Sequence, residues 1–273
     1  MNNDFQFDWG FFWEHLLQPD RAFLDGFVRT IYISVIAMLL ALVVGLVVAL
    51  MHGSKFRAIR ALAAIYVWVV RGTPLLVQLV IIYLGLAASG VYTFSDVTVA
   101  GITVAGVIQA AILTLVIHEG AYVSEIVRAG IQGVDKGQME AGLALGLTRS
   151  RTMAGIILPQ SLRFMVPPLG NTFNGLMKAT SILSIIGVSD VFLVTQAISA
   201  STFKTFEIFL VAAAYYLVLT TVWAFIQGRI ERRLDAKVGI SRPHRSWWSN
   251  QRVTPIGTRP LTLDNPKVVP HDA

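Results

Sequence analysis

The stretch IYISVIAMLLALVVGLVVALM, residues 31 to 51, contains no charged residue and decides the fold class. A helix of about 20 apolar residues can cross the hydrocarbon core of a bilayer, which is about 30 Å thick. The whole chain of 273 residues suits this environment, because it is 55% hydrophobic and only 14% charged. Soluble domains carry about 25% charged residues. The sequence therefore predicts an all-α polytopic membrane protein.

Four further segments of span length follow the first. Within the second, Gly72 and Pro74 break the helical pattern. The fourth carries several polar side chains, so it must face protein or water instead of lipid. Residues 1–26 are predicted to lie outside the membrane, and the basic, proline-rich residues 236–273 are predicted to form a disordered cytoplasmic tail. We predict five transmembrane helices, at about 27–51, 61–88, 105–131, 169–188 and 208–228.

The positive charges predict which end of the chain lies on which side. Of the 22 Lys and Arg residues, 17 fall in 52–60, 128–163 and 229–273. These are alternate connections of a five-span chain, and such connections face the cytoplasm by the positive-inside rule. The N-terminus is therefore predicted outside and the C-terminus inside. The net charge of +6 then reflects topology and contact with anionic lipid, so no nucleic acid partner is predicted.

Several functional classes are excluded by missing residues and motifs. The chain has no cysteine, so it has no disulfide and no thiolate metal site. The first 26 residues hold five acidic residues and do not resemble a signal peptide. The sequence contains no G-x-x-x-x-G-K-[ST], H-E-x-x-H, G-x-G-x-x-G or G-x-S-x-G motif. We therefore predict no enzyme activity, no metal and no bound cofactor, and any energy must come from a partner or an ion gradient.

Polar side chains in the predicted third span form one candidate site. Glu119 lies near mid-span, where a carboxylate costs several kcal/mol unless it is paired or hydrated. His118, Tyr122 and Glu125 share one helix face, and Glu119 points about 100° away from it. We predict that His118, Glu119 and Tyr122 contribute to a polar pathway. Glu125 and Arg128, three residues apart, are predicted to form an ion pair at the helix end.

A polar stripe in the predicted fourth span forms a second candidate site. Asn171, Asn174, Lys178 and Ser181 follow the spacing i, i+3, i+7 and i+10, which aligns them on one face of a helix. Such a stripe needs water, a substrate or a partner helix against it. Hydrogen bonds between helices would equally explain the asparagines, whereas Lys178 favours an aqueous path.

The sequence Arg71-Gly72-Thr73-Pro74 places a charge and two helix breakers within or beside the second span. One interpretation is a simple kink, with the arginine reaching the inner headgroups. The other gives Arg71, Gly72 and Pro74 a role in gating.

The stretch MEAGLALGLTRSRTMAGIILPQ, residues 139 to 160, is too polar to enter lipid. Its Glu140-Ala141-Gly142, then Gly146, then nine residues and Ile-Ile-Leu-Pro159, resembles the EAA loop of permease subunits in ABC importers. That motif reads E-A-A-x-x-x-G, nine residues, then I-x-L-P. Gly142 replaces its third residue, alanine.

Three longer stretches resemble the polar amino acid branch of the same family: RGTPLLVQL (71–79), GAYVSEIVRAGIQGVDKGQMEAGLALGL (120–147) and PPLGNTFNGLMKATSILSIIGVSDV (167–191). The resemblance implies a type I ABC importer permease-like fold over about 27–235, in the cytoplasmic (inner) membrane of a prokaryote. It also implies a second permease subunit, identical or paralogous, and an extracytoplasmic solute-binding protein. Two cytoplasmic ATPase subunits would bind ATP and Mg²⁺ and drive uptake of a polar amino acid.

The resemblance further implies that 136–160 is the segment that couples the chain to the ATPase. We expect a small-residue helix with a low-relief face that fits a groove of the partner. Arg149 and Arg151 would follow its end, where cations suit the helix dipole, and Pro159 would stop the following segment. The implied coupling residues are Glu140, Ala141, Gly142, Leu145, Gly146, Arg149 and Pro159.

Two alternative functions are considered beside the importer. An ion-gradient-driven secondary transporter would use Glu119 and His118 as proton relays, but it should show internal repeats, and the five spans are dissimilar. A membrane-embedded enzyme would need a nucleophile or a metal shell beside these two residues, and no second cluster supplies one.

Overall fold

The structure is a computed structural model that describes residues 6–99 and 101–237. In its first half, a π-helical turn at Ile81–Gly85 joins α4 to α5, and two short antiparallel strands follow. The elements are α1 (Trp9–Leu17), α2 (Arg21–His52), α3 (Arg57–Gly72), α4 (Leu75–Val80), α5 (Leu86–Ala88), β1 (Val97–Val99) and β2 (Ile102–Val104). This hairpin is a small departure from an all-helical chain.

All regular secondary structure in the described second half is helical. A π-helical turn, Met153–Ile157, joins α8 to α9, and a 3₁₀ segment, Thr180–Ile186, continues α9. Residues 238–273 of the predicted tail lie outside the described residues. The helices are α6 (Gly106–Gln132), α7 (Lys136–Ala144), α8 (Arg149–Thr152), α9 (Leu158–Ala179), α10 (Val191–Thr202) and α11 (Thr205–Lys237).

The described residues provide up to five spans, as the sequence predicts. The helices α2, α6 and α11 are each long and apolar enough to cross a membrane alone. Two bent pairs supply the others if each pair is one span. The axis turns by 106° between α3 and the segment Leu75–Ala88, and by 54° between the segment Arg149–Ile186 and α10.

Each bend has a local cause. At the first, Thr73 has an extended backbone (φ −119°, ψ 143°) because a residue before proline is disfavoured in the helical region. At the second, Gly187 has φ +89°, a left-handed conformation in which glycine meets no steric penalty. Asp190 then starts α10 by accepting a hydrogen bond from the Leu193 N–H at 2.9 Å. The polypeptide therefore bends at predictable residues.

A close helix crossing joins α2 to α6 through glycines. Gly45 lies against Val123 and the Gly120 carbonyl, and a Cβ placed on Gly45 would lie 2.6 Å from Cβ of Val123. On the other side of the crossing, Gly120 faces Val44. Small residues let two backbones approach closely, which is the common basis of helix packing in membranes. The main apolar core extends from this crossing to α4 and α9.

At the end of the bundle that carries the N-terminus, α1 packs beside the start of α11. Asp8 pairs with Lys204, and the Tyr215 hydroxyl donates a hydrogen bond to the Leu16 carbonyl at 3.0 Å. The Lys204 ammonium, with a hydrogen bond from the Phe11 N–H, holds the pKa of Asp8 below its usual value of 3.8. These contacts attach both ends of α1 to α11.

Candidate functional site

The predicted coupling segment folds as a helical hairpin instead of one helix. After α7, the Leu147 N–H donates to the Gly142 carbonyl at 3.1 Å and the Gly146 N–H to the Leu143 carbonyl at 3.0 Å. Gly146 between them has φ +79°. This is the Schellman arrangement that ends a helix, and it favours glycine at the left-handed position. Gly146 therefore forms the turn, and the expectation that it extends a helical docking face is wrong.

Gly142 faces the second arm of the hairpin and not an outside partner. It is buried, and a Cβ there would lie 2.7 Å from Oγ1 of Thr152, which is itself fully buried. The small residue at this motif position thus lets α7 and α8 of the same chain touch. Sequence reasoning identified the need for a close approach but assigned it to the wrong surface.

Arg149 and Arg151 follow the end of α7, as predicted, and lie in the first turn of α8, whose N-cap is Thr148. The expectation about Pro159 is wrong. Pro159 does not stop the following segment, because it lies in the first turn of α9. The π-helical turn Met153–Ile157 directly precedes α9 and interrupts the regular α-helical hydrogen bonds, which proline cannot join. The chain is helical from Arg149 through Ile186.

The tip of the hairpin presents side chains that this chain does not cover. Leu145 is 80% exposed, and Glu140, Ala141 and Arg149 are also exposed. An exposed leucine at a tight turn, beside charged groups, has the composition of a protein contact surface. The hairpin tip therefore remains the candidate contact with a partner.

Substituting Gly142 with alanine tests the hairpin packing. We expect Gly142→Ala to separate α7 from α8 and to lower the free energy of unfolding of the hairpin by about 1–2 kcal/mol, because overpacking forces neighbours to move. Gly155→Ala is the matched control, since a Cβ there meets nothing within 4 Å. Limited proteolysis across 136–160 measures the difference. Equal cleavage rates for the two variants would contradict the assignment of Gly142.

A polar wall lies along one face of α6, as the helical spacing predicts. His118 Nδ1 is 3.1 Å from Oε1 of Gln78, and the rings of His118 and Tyr122 are 5.2 Å apart. The guanidinium carbon of Arg71 lies 5.2 Å from the centre of the Tyr122 ring. We call His118, Tyr122, Arg71, Gln78 and Glu125 the α6 wall. It brings the predicted gating residue Arg71 next to two predicted pathway residues.

Gln78 is a site residue that the sequence analysis missed. Its Nε2 donates hydrogen bonds to the Val70 carbonyl at 2.7 Å, the Thr73 carbonyl at 3.1 Å and Oγ1 of Thr73 at 2.8 Å. These acceptors lie on the α3 side of the break before Pro74. Because Gln78 itself belongs to α4, its side-chain amide connects α4 to α3 across the break. Its Oε1 also contacts His118. The available signal was a single polar residue, four positions after Pro74, in an otherwise apolar run.

At its C-terminal end along α6, the α6 wall contains an ion pair between Glu125 and Arg128. Arg128 donates to both carboxylate oxygens of Glu125, from Nη2 at 2.7 Å and from Nε at 3.2 Å. This is the predicted pair three residues apart. Arg71 approaches the same carboxylate more loosely, with Nη1 3.9 Å from Oε2.

Glu119 lies away from the α6 wall. It is only 8% exposed, and its helix neighbours Leu115, Val116 and Val123 belong to the main apolar core. Among the described residues it has no hydrogen bond or ion pair. The structure does not bring Glu119 together with Tyr122 or Arg71, and its pathway role stays a prediction.

The polar stripe, which extends from α9 into the 3₁₀ segment, is only partly covered by the rest of the described chain. Asn171 and Lys178 are exposed, whereas Asn174 and Ser181 are half-buried. The Ser181 hydroxyl donates to the Lys178 carbonyl at 2.8 Å, a contact within the helix. No described hydrogen bond or ion pair joins the stripe to the α6 wall. Over residues 6–99 and 101–237, no cluster of three His, Asp or Glu side chains could hold a metal.

The bent helices, the partly exposed polar stripe and the projecting hairpin are the features of a membrane protein whose own described residues leave polar and apolar surfaces exposed. Residues 24–236 match the family model described as "Binding-protein-dependent transport system inner membrane component". Because this match covers most of the chain, the protein belongs to that family.

Curated relatives match along nearly their whole length. The glutamine transport system permease protein GlnP of Escherichia coli (strain K12) is 37% identical over 229 residues, which cover 84% of this chain and 98% of the relative. The L-cystine transport system permease protein TcyB of Bacillus subtilis (strain 168) is 37% identical over 228 residues, covering 83% and 92% respectively.

Solved structures support the fold independently. A chain described under "Crystal structure of an amino acid ABC transporter with histidines" superposes with a TM-score of 0.72 at 34% identity, covering 84% of this chain and 100% of that one. A chain of the MetNI methionine ABC transporter gives a TM-score of 0.63 at 19% identity, covering 78% and 96%. That second likeness shows the fold alone. The chain therefore has the fold of ABC importer permeases.

Proposed function

We propose that this chain is the permease subunit of an ATP-driven importer of a polar amino acid, with glutamine as the first candidate. The observation that carries this proposal is the 37% identity to a glutamine permease over 98% of that relative's length. The proposed partners are two ATPase subunits that bind ATP and Mg²⁺, a second permease subunit and an extracytoplasmic solute-binding protein. The N-terminus would lie outside and the hairpin in the cytoplasm, by the positive-inside rule.

The hairpin geometry supports a direct mechanical coupling to the ATPase. Leu145 would enter a groove of an ATPase subunit, and the Gly142–Thr152 contact would keep the two arms of the hairpin together. Because α8 continues into α9 without a break, a displacement of the tip would move the polar stripe as part of one rigid element. Rigid-body movement of packed helices is a common basis of switching between two states.

The substrate pathway would lie between the α9 stripe and the α6 wall. We retain His118, Tyr122, Asn171, Asn174, Lys178 and Ser181 as candidate pathway residues, since these side chains lie on polar faces of two core helices. Glu119 belongs to this pathway only if the buried side of α6 becomes hydrated in another state. The break at Thr73–Pro74 supplies a position where α3 and α4 can pivot.

Replacing Leu145 tests the proposed coupling. We expect Leu145→Asp to remove the ATPase subunits during purification and to abolish ATP-driven uptake of labelled glutamine. Loss of a hot-spot contact costs about 2 kcal/mol or more, or roughly thirtyfold in affinity. Leu145→Met keeps an apolar side chain of similar size and should retain both properties.

Two results would contradict the proposed function. One is full ATPase retention and uptake by Leu145→Asp. The other is glutamine uptake by proteoliposomes that contain no ATPase but carry a proton gradient, since this would favour the secondary transporter.

A further inference from the structure

Three helices enclose an apolar groove on one side of the bundle. It lies between α2, α9 and α11 and has a volume of about 610 Å³. Its lining residues are all apolar or glycine, and Met38, Phe173 and Trp223 contribute one from each helix. We call this cavity the lateral groove. The indole N–H of Trp223 already donates to the Gly170 carbonyl at 2.8 Å. The lateral groove therefore fits a hydrocarbon chain and not a polar solute.

The dimensions of the lateral groove favour a lipid chain over a further helix. Its lining residues lie within 31–42 of α2, 166–177 of α9 and 219–230 of α11, a length of about 16 Å at 1.5 Å per residue. This is close to half of the hydrocarbon core, which is about 30 Å thick. Over this length, the volume corresponds to a cross-section of about 40 Å², roughly half that of a helix about 10 Å in diameter. The groove is open to lipid, since Leu39 and Val222 are exposed.

Arginines continue two of the three lining faces. On α9, Arg163 precedes the lining residue Val166 by three positions, and on α11, Arg233 follows the lining residue Ile230 by three. Residues three apart lie on the same face of a helix. The apolar surface of each helix therefore ends at a guanidinium group.

Both arginines lie at the same end of the lateral groove. The helices α9 and α11 are antiparallel neighbours, because Trp223 donates to the Gly170 carbonyl and Gln227 donates to the Pro167 carbonyl at 3.2 Å. Continuing this register by one turn takes α9 to its first residues and α11 to its last ones. In the proposed orientation this is the cytoplasmic end.

The positive charge at this end is not neutralised by the described chain. Nε of Arg163 is buried without a hydrogen-bond partner, and its guanidinium carbon lies 4.5 Å from the centre of the Phe164 ring. Within residues 6–99 and 101–234, neither Arg163 nor Arg233 forms a hydrogen bond or an ion pair. Residues 229–237 hold four basic and two acidic residues. An apolar groove with a cationic end therefore complements a lipid with an anionic headgroup.

We propose that the lateral groove binds an anionic phospholipid of the cytoplasmic leaflet, with its phosphate at Arg163 and Arg233. An acyl chain lies against α2, α9 and α11, and the phosphate oxygens accept hydrogen bonds from the guanidinium groups. Basic residues between helices on the cytoplasmic side are typical of sites for anionic headgroups.

The lipid site is separate from the proposed substrate pathway. Phe173 and Met177 line the groove, whereas the stripe residues Asn174 and Lys178 each follow by one position and so point about 100° away. The inference goes beyond the proposed function, because lipid binding does not depend on which solute is transported. Only the leaflet follows from the proposed orientation.

Native mass spectrometry of the complete complex tests the proposal. The complex is released from nanodiscs that contain equal amounts of phosphatidylglycerol and phosphatidylcholine with the same acyl chains. The wild type should retain phosphatidylglycerol about twentyfold better, since a basic residue beside anionic lipid contributes roughly fivefold. Arg163→Gln and Arg233→Gln should each lower this preference by about fivefold, and Arg163→Lys should keep it, because lysine retains the charge.

Matched variants separate the site from general surface charge and general packing. Arg232→Gln should leave the preference unchanged, because residue 232 is rotated by about 100° from Arg233 on α11. Val222→Trp fills the groove and should lower the retention of both lipids by at least about fivefold. Leu217→Trp adds the same ring on another exposed face of α11 and should not.

Three results would overturn the inference. The first is equal retention of the two lipids by the wild type, and the second is an equal loss of preference in Arg232→Gln and Arg233→Gln. Because the chain has no cysteine, Val222→Cys introduces a single thiol. Its oxidation to a disulfide-linked dimer in membranes would be the third, since it would assign the groove to a contact between two copies.

Two further observations keep these outcomes distinct from other failures. Arg233 is exposed, so Arg233→Gln tests the site even if Arg163→Gln does not assemble. Loss of glutamine uptake with an intact lipid preference would contradict the proposed function and leave the lipid site standing.

Discussion

Gly45→Ala is expected to lower the free energy of unfolding by about 2–3 kcal/mol. A Cβ at this position would lie 2.6 Å from Cβ of Val123 and 3.0 Å from the Gly120 carbonyl oxygen. Both obstacles belong to the closest part of α6, and a backbone carbonyl cannot rotate away as a side-chain terminus can. The α2 and α6 axes must therefore separate, and their apolar contacts weaken over several turns.

Gly228→Ala is the matched control for this prediction. Gly228 also lies inside a long helix, α11, but a Cβ there would meet nothing within 4 Å. Alanine should stabilise this helix by up to about 1 kcal/mol, because glycine loses more backbone entropy on folding. The midpoints of thermal unfolding in detergent should move in opposite directions for the two variants. A parallel shift would contradict the packing argument.

Gln78→Leu is expected to cause the second large effect, a loss of ATP-driven uptake by more than about tenfold. The change keeps the side-chain volume but removes the donor of three hydrogen bonds across the helix break and the contact with His118. An intramolecular hydrogen bond contributes about 0.5–1.5 kcal/mol, so the loss of several together exceeds the roughly 1.4 kcal/mol that corresponds to a factor of ten in an equilibrium. The angle between α3 and α4 would therefore vary, and some of its values would not support transport.

Gln196→Leu separates this effect from the general consequence of losing an amide. Gln196 is exposed on α10 and makes no hydrogen bond within the described chain, so its replacement should change stability by no more than about 0.5 kcal/mol. Uptake by proteoliposomes that contain the ATPase measures both variants. Similar uptake by Gln78→Leu and Gln196→Leu would show that the amide does not hold the break.

Much of the fold could be predicted from the sequence because the membrane imposes long apolar segments. The run 31–51 and the four later segments of span length predict the number of spans, since hydrocarbon excludes unpaired backbone groups. Helical spacing also predicts that His118 and Tyr122 share a face and that Glu119 points elsewhere. These features depend on residues close together along one helix, where geometry is fixed by 3.6 residues per turn.

The missed features depend on contacts between elements. Gln78 matters because Pro74 leaves carbonyl groups of the preceding helix without partners, and no periodic pattern shows which side chain will meet them. The turn at Gly146 folds α8 back onto α7, and this determines that Gly142 faces Thr152 of the same chain. A small residue in a motif predicts close approach, but it does not identify the approaching surface as the same chain or a partner.

The π-helical turn at Met153–Ile157 determines where the hairpin points. Such a turn amounts to one residue inserted into a regular helix, and each residue of an α-helix corresponds to a rotation of about 100°. The inserted residue therefore determines the direction in which Leu145 points about the α9 axis, relative to the stripe residues Asn171 and Lys178. A chain with one residue fewer there would present the same tip in a direction rotated by about 100° about the α9 axis. Under the proposed coupling, the fit between this chain and an ATPase subunit then depends on the number of residues in this turn.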